Sequence, residues 1–323
     1  MNTQHGTRVA VLLATHNGSR YVDAQIKSLA ENVTQFTLHW LDDHSTDNTR
    51  ELVRSSASKV GIDLREWHQA QRQGVPGAFF QLLECVEADI YLFCDQDDIW
   101  EPGKIDVTVA NLLPHKSSPA HCYSEPMAFN NDKPEILFPS SKLLGIDAVL
   151  TTQESRAFTS TMAIGNTSGF TRPLRDIYLS HKDIARKHAF MHDWWMYIIA
   201  LASGTSRMLS GVPTTLYRRH ATNVSGQFVE GRGTRRIVLT WRSQQTLRQV
   251  VSRQAEGFIL ASPTLPPGAK LERLLALARL LAKVDRRQSA GMFYRLIRRR
   301  TMPASSSYVF WYAATCLSSH APS

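Results

Sequence analysis

The sequence predicts an α/β fold: a mixed, mostly parallel sheet flanked by helices, followed by a basic helical extension. Three observations lead there. Short apolar runs alternate with segments of helical period from residue 8 to about residue 105. Each run ends in a cluster of polar residues. The charge balance then changes sign near residue 231: residues 231–323 hold 16 Lys and Arg against 3 Asp and Glu, whereas residues 1–230 hold 21 against 25. A length of 323 residues with 43% hydrophobic content leaves ample material for a buried core.

RVAVLLAT (8–15) is a nearly continuous apolar run that breaks at HNGS, which reads as a buried strand entering a loop. In YVDAQIKSLAEN the spacing of Val22, Ile26 and Leu29 predicts one apolar helix face. TLHWL (37–41) is the second strand; after DDHSTDNT, Ser45 or Asp47 is placed to cap the helix running through RELVRSSA. IDLREW (62–67) is the third strand, followed by the helix AFFQLLECVE. ADIYLFC (88–94) is the fourth. Beyond residue 105 the alternation loosens. AHCYSE (120–125) and STMAIGNTSGFTR (160–172) read as further strands and loops, DWWMYIIALASG (193–204) as a buried helix, and MLSGVPTTLYRRH (208–220) as one strand ending in cations.

Residues 1–230 are therefore expected to form one compact domain and residues 231–323 a basic helical extension, with the boundary in EGRGTRR. The N-terminal segment shows no basic start with a small-residue cleavage site, and no run approaches the ~18 apolar residues of a membrane span. Cys85, Cys94, Cys122 and Cys316 form neither a CxxC pair nor a dense disulfide pattern, which fits free thiols in a reducing compartment. A cytoplasmic location is the expectation.

In such sheets ligands gather beyond the carboxyl ends of the strands. THNGS, DDHSTD and DQDD all fall at such ends. Asp95, Asp97 and Asp98 follow the fourth strand directly, and like charges this close raise one another's pKa unless a cation or hydrogen bonds compensate. Two readings compete: aspartates serving a turn, and hard oxygen ligands for a divalent metal. No GxGxxG follows the first strand and no GxxxxGK[ST] loop is present, so the common nucleotide-binding fingerprints are absent. A carboxylate such as Asp42 is still able to accept a hydrogen bond from a base or ribose.

ATHNGSRYVDAQIKSL, LDDHSTDNT and FCDQDDIWEPGKI, in this order and spacing, resemble the inverting family 2 glycosyltransferases, whose fold is the Rossmann-like GT-A type. GNTSGFTR, MHDWWMYIIA and YRRHATNVSG extend the resemblance toward rhamnosyltransferase-like members that build bacterial surface polysaccharides. It spans about residues 8–226. The resemblance implies that Thr15, Asn17, Asp42 and Asp43 bind the nucleotide sugar. It implies that Asp95 and Asp97 form a DxD motif holding ribose and Mg²⁺ or Mn²⁺, with Asp97 the direct metal ligand and Asp98 in support, including as a helix cap.

Asp193 matches the family's catalytic base, which takes the proton from the acceptor hydroxyl as that oxygen attacks the anomeric carbon. A helix-capping role for Asp193 competes with this reading, and one residue is able to do both. Trp194 and Trp195 divide between an acceptor platform and core packing. Arg218, Arg219 and His220 match a YRxH pattern, the arginines as diphosphate contacts and His220 as a metal ligand or a structural histidine. Glu125 stands where relatives often carry Asp, and GNTSGF replaces GCTMLF, which puts acceptor contacts and sugar choice at variance with the family pattern.

In the extension, Leu271, Leu274, Leu275, Ala278 and Leu281 fall on one helical face. Two readings are open: a basic helix on an anionic membrane, with RLIRRR and SYVFWY at the same interface, or a helix packed on the catalytic domain. Nucleic acid is not expected, since no recognised module accompanies the arginines.

The resulting expectation is an inverting, metal-dependent glycosyltransferase. It moves a sugar, rhamnose among the candidates, from a nucleotide-diphosphate donor to a glycan or lipid-linked glycan acceptor, at the inner face of the cytoplasmic membrane. A sugar nucleotidyltransferase, which releases diphosphate, and a nonenzymatic nucleic-acid-binding protein are the alternatives.

Overall fold

The structure, a computed structural model, describes residues 6–130, 133–139, 154, 157–158, 163–211, 215–219 and 249–282. The first four strands are β1 (Val9–Thr15), β2 (Thr37–Asp42), β3 (Asp63–Trp67) and β4 (Ile90–Cys94). They alternate with helices α1 (Val22–Leu29), α2 (Thr49–Lys59) and α3 (Gly74–Cys85). After these come β5 (Ile99–Trp100), α4 (Lys104–Leu112), β6 (Ala120–Ser124), β7 (Met127–Asn130), β8 (Lys133–Pro139) and β9 (Ser168–Thr171). Helices α5 (Arg172–Leu179), α6 (Lys182–His188) and α7 (His192–Ser203) then lead to β10 (Thr205–Leu209) and β11 (Thr215–Arg219).

Seven strands form the main sheet in the order β10-β6-β9-β4-β1-β2-β3. All neighbours are parallel except β9, which runs against both β4 and β6. This is the mixed, mostly parallel sheet that the strand-helix alternation predicts. β1 and β4 lie at its centre and are apolar on both faces, because helices cover both. Ala10, Leu12, Tyr91 and Phe93 pack toward α3 and α7, whereas Val9, Val11, Leu13, Leu92 and Cys94 pack toward α1, α2 and α4. That split is the two-residue period of a strand serving two cores at once.

On α1, Val22, Ile26 and Leu29 are all fully buried, as their spacing predicts. Helix α7 is buried around its whole circumference, which explains why its sequence lacks a polar face.

A second sheet, β5-β11-β7-β8, was not legible in the chain and corrects one expectation. Residues 208–220 do not form one strand. Thr205–Leu209 closes the edge of the main sheet beside β6, and Thr215–Arg219 enters the small sheet between β5 and β7. Gly211, at φ 81, breaks the run between them, a conformation that glycine adopts without the steric cost of a Cβ.

The C-terminal helices α8 (249–261) and α9 (Ala269–Ala282) share the hydrophobic core that the main sheet forms with α3 and α7. Leu271, Leu274, Leu275, Ala278 and Leu281 are buried there, together with Val251, Ala255 and Phe258. Polar contacts fix the docking. Arg273 forms a two-point ion pair with Glu154 at 2.6 and 2.8 Å, and Arg253 donates to the Ala189 carbonyl. The leucine face therefore meets protein rather than lipid, which corrects the membrane reading for that face. RLIRRR and SYVFWY lie outside the described residues. Among the described residues, no helix is long and apolar enough to cross a membrane.

Candidate active site

Strand order reverses between β1 and β4: β2 and β3 extend the sheet on one side of β1, and β4 begins the other. The loops leaving β1, β2 and β4 meet at this switch point, where parallel sheets open a crevice. Thr15 ends β1 and donates its hydroxyl to Asp42 Oδ1 at 2.9 Å. Ser45 and Arg50 also donate to the Asp42 carboxylate, at 2.6 and 2.7 Å. Burial works against the charge on Asp42, but these hydrogen bonds outweigh it and hold its pKa below the ordinary carboxylate value.

Asp43 is buried and anchors the next loop, accepting from the backbone N–H groups of Gln73 and Gly74 at 2.8 and 2.9 Å. Asn17 adopts φ 47, and its side-chain oxygen accepts the Thr46 N–H at 2.8 Å. Thr15, Asn17, Asp42 and Asp43 thus come together as one hydrogen-bonded rim.

The loop after β4 carries the acidic cluster. Burial, and then the neighbouring Asp98, Asp97 and Asp193, push the Asp95 pKa well above the usual carboxylate range. Asp98 is fully buried and pushed up to about 7, first by burial and then by Asp97. It accepts the Arg218 N–H at 2.9 Å and a hydrogen bond from the Asn166 side-chain amide. Helix α4 begins at Lys104, so Asp98 ties loops together instead of capping that helix.

Lys104 is the residue that sequence reasoning overlooked. Its side-chain nitrogen is buried 3.3 Å from the Trp100 ring centroid and donates to the Asn166 carbonyl, and burial drives its pKa well below the ordinary lysine value. The signal was a lone lysine in WEPGKI at the start of a helix whose neighbours are apolar.

Asp193 sits in the first turn of α7. Its Oδ2 accepts the Gly165 N–H and its Oδ1 the Trp194 N–H, both at 2.7 Å. Burial raises its pKa to about 6 despite those two donors. Its charge adds, after burial, Asp98 and Asp97, to the upward push on the Asp95 pKa. A Cβ on Gly165 would come within 3.3 Å of the Asp193 carboxylate, so only glycine allows this approach without displacement.

Residues 10–172 match the family described as Glycosyl transferase family 2. The chain belongs to this family. It is a family 2 glycosyltransferase, and its sheet is the GT-A sheet. A dTDP-rhamnosyl transferase, RfbG, of Shigella flexneri is 26% identical over 66% of this chain and 73% of its own. The glucosyltransferase WfgD of Escherichia coli, named as acting on GlcNAc-diphosphoundecaprenol with UDP-Glc, is 26% identical over 38% of this chain and 47% of its own. Among solved structures, S. aureus TarS residues 1–349 with UDP-GlcNAc superposes with TM-score 0.53 at 15% identity, covering 96% of this chain and 88% of that one. The Pyrobaculum calidifontis mannosyltransferase PcManGT with GDP-Man and Mn²⁺ gives 0.51 at 16%, covering 98% and 89%. At these identities the structures speak to fold alone.

In this family 2 enzyme, Asp95 and Asp97 offer the hard carboxylate oxygens that Mg²⁺ or Mn²⁺ prefers; burial first, and then the charges of Asp98, Asp97 and Asp193, raise the Asp95 pKa, and a cation would offset the latter part. The residues fit a divalent metal in chemistry. Among the described residues, no three His, Cys, Asp or Glu side chains are gathered as a ready-made metal cage. His220 lies outside the described residues.

Other expected contacts fall differently. Trp194 and Trp195 are both buried, and their indole N–H groups donate to the Ala157 carbonyl and to His181. That burial fits core packing and corrects the platform reading. Arg218 lays its guanidinium 4.6 Å from the Phe129 ring centroid and 5.1 Å from that of Tyr21, and donates to the Asp97 carbonyl at 2.7 Å. Glu125 follows β6 and is half-buried, and Arg219 ends β11.

Proposed function

We propose that this glycosyltransferase transfers a deoxyhexose or hexose from a nucleoside-diphosphate sugar to a hydroxyl of a growing glycan or lipid-linked glycan in bacterial polysaccharide assembly, with inversion at the anomeric carbon. The observation that carries the reading is Asp193. It is a buried carboxylate with a pKa of about 6, near enough to Asp95 for its charge to help raise the Asp95 pKa. Such a group is ionised at neutral pH yet basic enough to accept a proton from an attacking hydroxyl.

Within the proposed mechanism, the Thr15–Asp42–Asn17 rim orients the nucleoside. Asp95 and Asp97 would hold the cation, which supplies charge neutralisation for the departing nucleoside diphosphate. Asp193 receives the acceptor proton while the Gly165 and Trp194 N–H groups keep its carboxylate aimed. Rhamnose as the transferred sugar is supported by the likeness to the S. flexneri rhamnosyl transferase, which spans two thirds of the chain.

The test is turnover with dTDP-rhamnose, UDP-glucose and UDP-N-acetylglucosamine against lipid-linked acceptors, with the anomeric configuration of the product read by NMR. Inverted product that disappears in Asp193→Asn supports the reading. Retained configuration, or full activity in that variant, refutes it.

A further inference from the structure

Gln96 stands between the two proposed metal ligands, and its side chain points away from them, to the first loop. Its Oε1 accepts the His16 N–H at 2.9 Å, and its Nε2 donates to the His16 carbonyl at 3.1 Å. One carboxamide thereby satisfies both backbone groups of a single residue, as a neighbouring strand would.

The position of this contact explains its need. The parallel pairing of β1 with β4 ends at Leu13 opposite Cys94, after which the two chains part. His16 would lose its partners there. Gln96 restores them and extends the ladder by one side chain past the strand ends.

Gly18 completes the arrangement. A Cβ built there would lie 2.2 Å from Gln96 Oε1, so a side chain at residue 18 and the Gln96 amide cannot share the space. The same loop is held from the other side by Ser45 Oγ, which accepts the Asn17 N–H at 2.9 Å, and by Asp43, whose carbonyl lies 2.8 Å from His16 Nδ1.

We propose that Gln96 and Gly18 form a latch that makes the nucleoside-binding loop (16–18) and the acidic loop (95–98) one rigid donor cradle, with Gln96 a positioning residue for donor binding. This rests on the donor site proposed above. The latch lowers the ordering cost of donor binding, because two loops that otherwise part are already held in register.

The experiment is a double-mutant cycle on the full chain with Gln96→Ala, Gly18→Ala and the pair. UDP and dTDP affinities are read by calorimetry with Mn²⁺ present, at a temperature where circular dichroism shows every variant folded. Hydrogen exchange of the peptide spanning residues 14–20 is read in parallel. Each single variant is expected to weaken nucleotide binding roughly tenfold, the scale of a lost hydrogen-bond pair, and to speed exchange in the peptide that contains the part-buried His16 amide. The double variant is expected to be no worse than Gln96→Ala alone, since Gly18 acts only through the glutamine.

Additive losses in affinity, or undiminished protection of His16 in Gln96→Ala, overturn the latch. If the unmodified protein binds neither nucleotide, the donor reading fails, and the latch fails with it as a donor-positioning device even where the exchange cycle shows the contact to exist.

Discussion

The main-chain N–H of Arg218 donates to Asp98 Oδ1 at 2.9 Å, across a separation of 120 residues in the chain. That bond joins the acidic loop after β4 to the central strand of the small sheet. Together with the Arg218 guanidinium on the Asp97 carbonyl, it ties the acidic loop to β11 at two points. Asn166 and Lys104 close the network from below.

Lys104 ties this cluster together through its hydrogen bond to the Asn166 carbonyl, and burial drives its pKa well below the ordinary lysine value against the opposing pull of Asp98 and Asp95. Replacing it with Met keeps the apolar stem beside Trp100 but removes that donor. Losing one partner of a buried hydrogen bond costs about 1–3 kcal/mol. Urea denaturation of Lys104→Met at pH 8 should show a loss of that size. A midpoint equal to that of the unmodified protein would show the cluster is compensated elsewhere.

Asp193 predicts opposite signs for stability and activity. Its folded pKa, about 6, lies above the ordinary value of 3.8, so folding favours the protonated form. The associated stability is fully present below about pH 4 and is lost as the pH rises through 6, an effect of about 3 kcal/mol. Activity should rise over the same window, because the proposed base must be ionised. In Asp193→Asn the stability change between pH 4 and pH 7 should flatten at this site while turnover falls at least a hundredfold. Thermal melts and initial rates across that range check both.

Chelation should remove turnover. If Asp95 and Asp97 hold the proposed cation, EDTA is expected to lower the rate a hundredfold or more, since metal stabilisation of a leaving group is worth several kcal/mol. Mn²⁺ should restore it. Asp97→Asn should lose Mn²⁺ affinity by calorimetry while its melting curve stays cooperative. Metal-independent turnover at the full rate would remove these two aspartates from the mechanism.

Leu275, 5% exposed on α9, tests whether the C-terminal helices belong to the catalytic core. Truncation to Ala in a packed interior costs about 2–5 kcal/mol. Leu275→Ala should lower the unfolding midpoint of the single transition shared with the catalytic sheet. A separate, earlier transition would show that α8 and α9 melt independently.

The strand-helix alternation up to residue 105 was readable because each element there is local: β1 and β4 are uninterrupted apolar runs, and α1 repeats at three and four. The rim residues Thr15, Asn17, Asp42 and Asp43 were readable for a related reason, since each follows directly on a strand end. The small sheet was not. β5 is two residues long, and β7 pairs with β11 across about 90 positions, a partnership without local signature.

Residue order alone establishes the α/β class, the polar strand ends, the family likeness and the apolar stripe of α9. It carries no information about what covers that stripe, and amphipathic helices against lipid and against protein read alike, because both surroundings reward the same apolar burial. Folding decided that point by placing Phe158 and the α7 surface opposite Phe258 and Leu275. It also decided the states of the aspartates. The string DQDD does not tell its aspartates apart, yet Asp98 is sealed against Arg218 and Asn166 while burial and the charges of Asp98, Asp97 and Asp193 act on Asp95, because a carboxylate's charge is set by its partners in space and its distance from water.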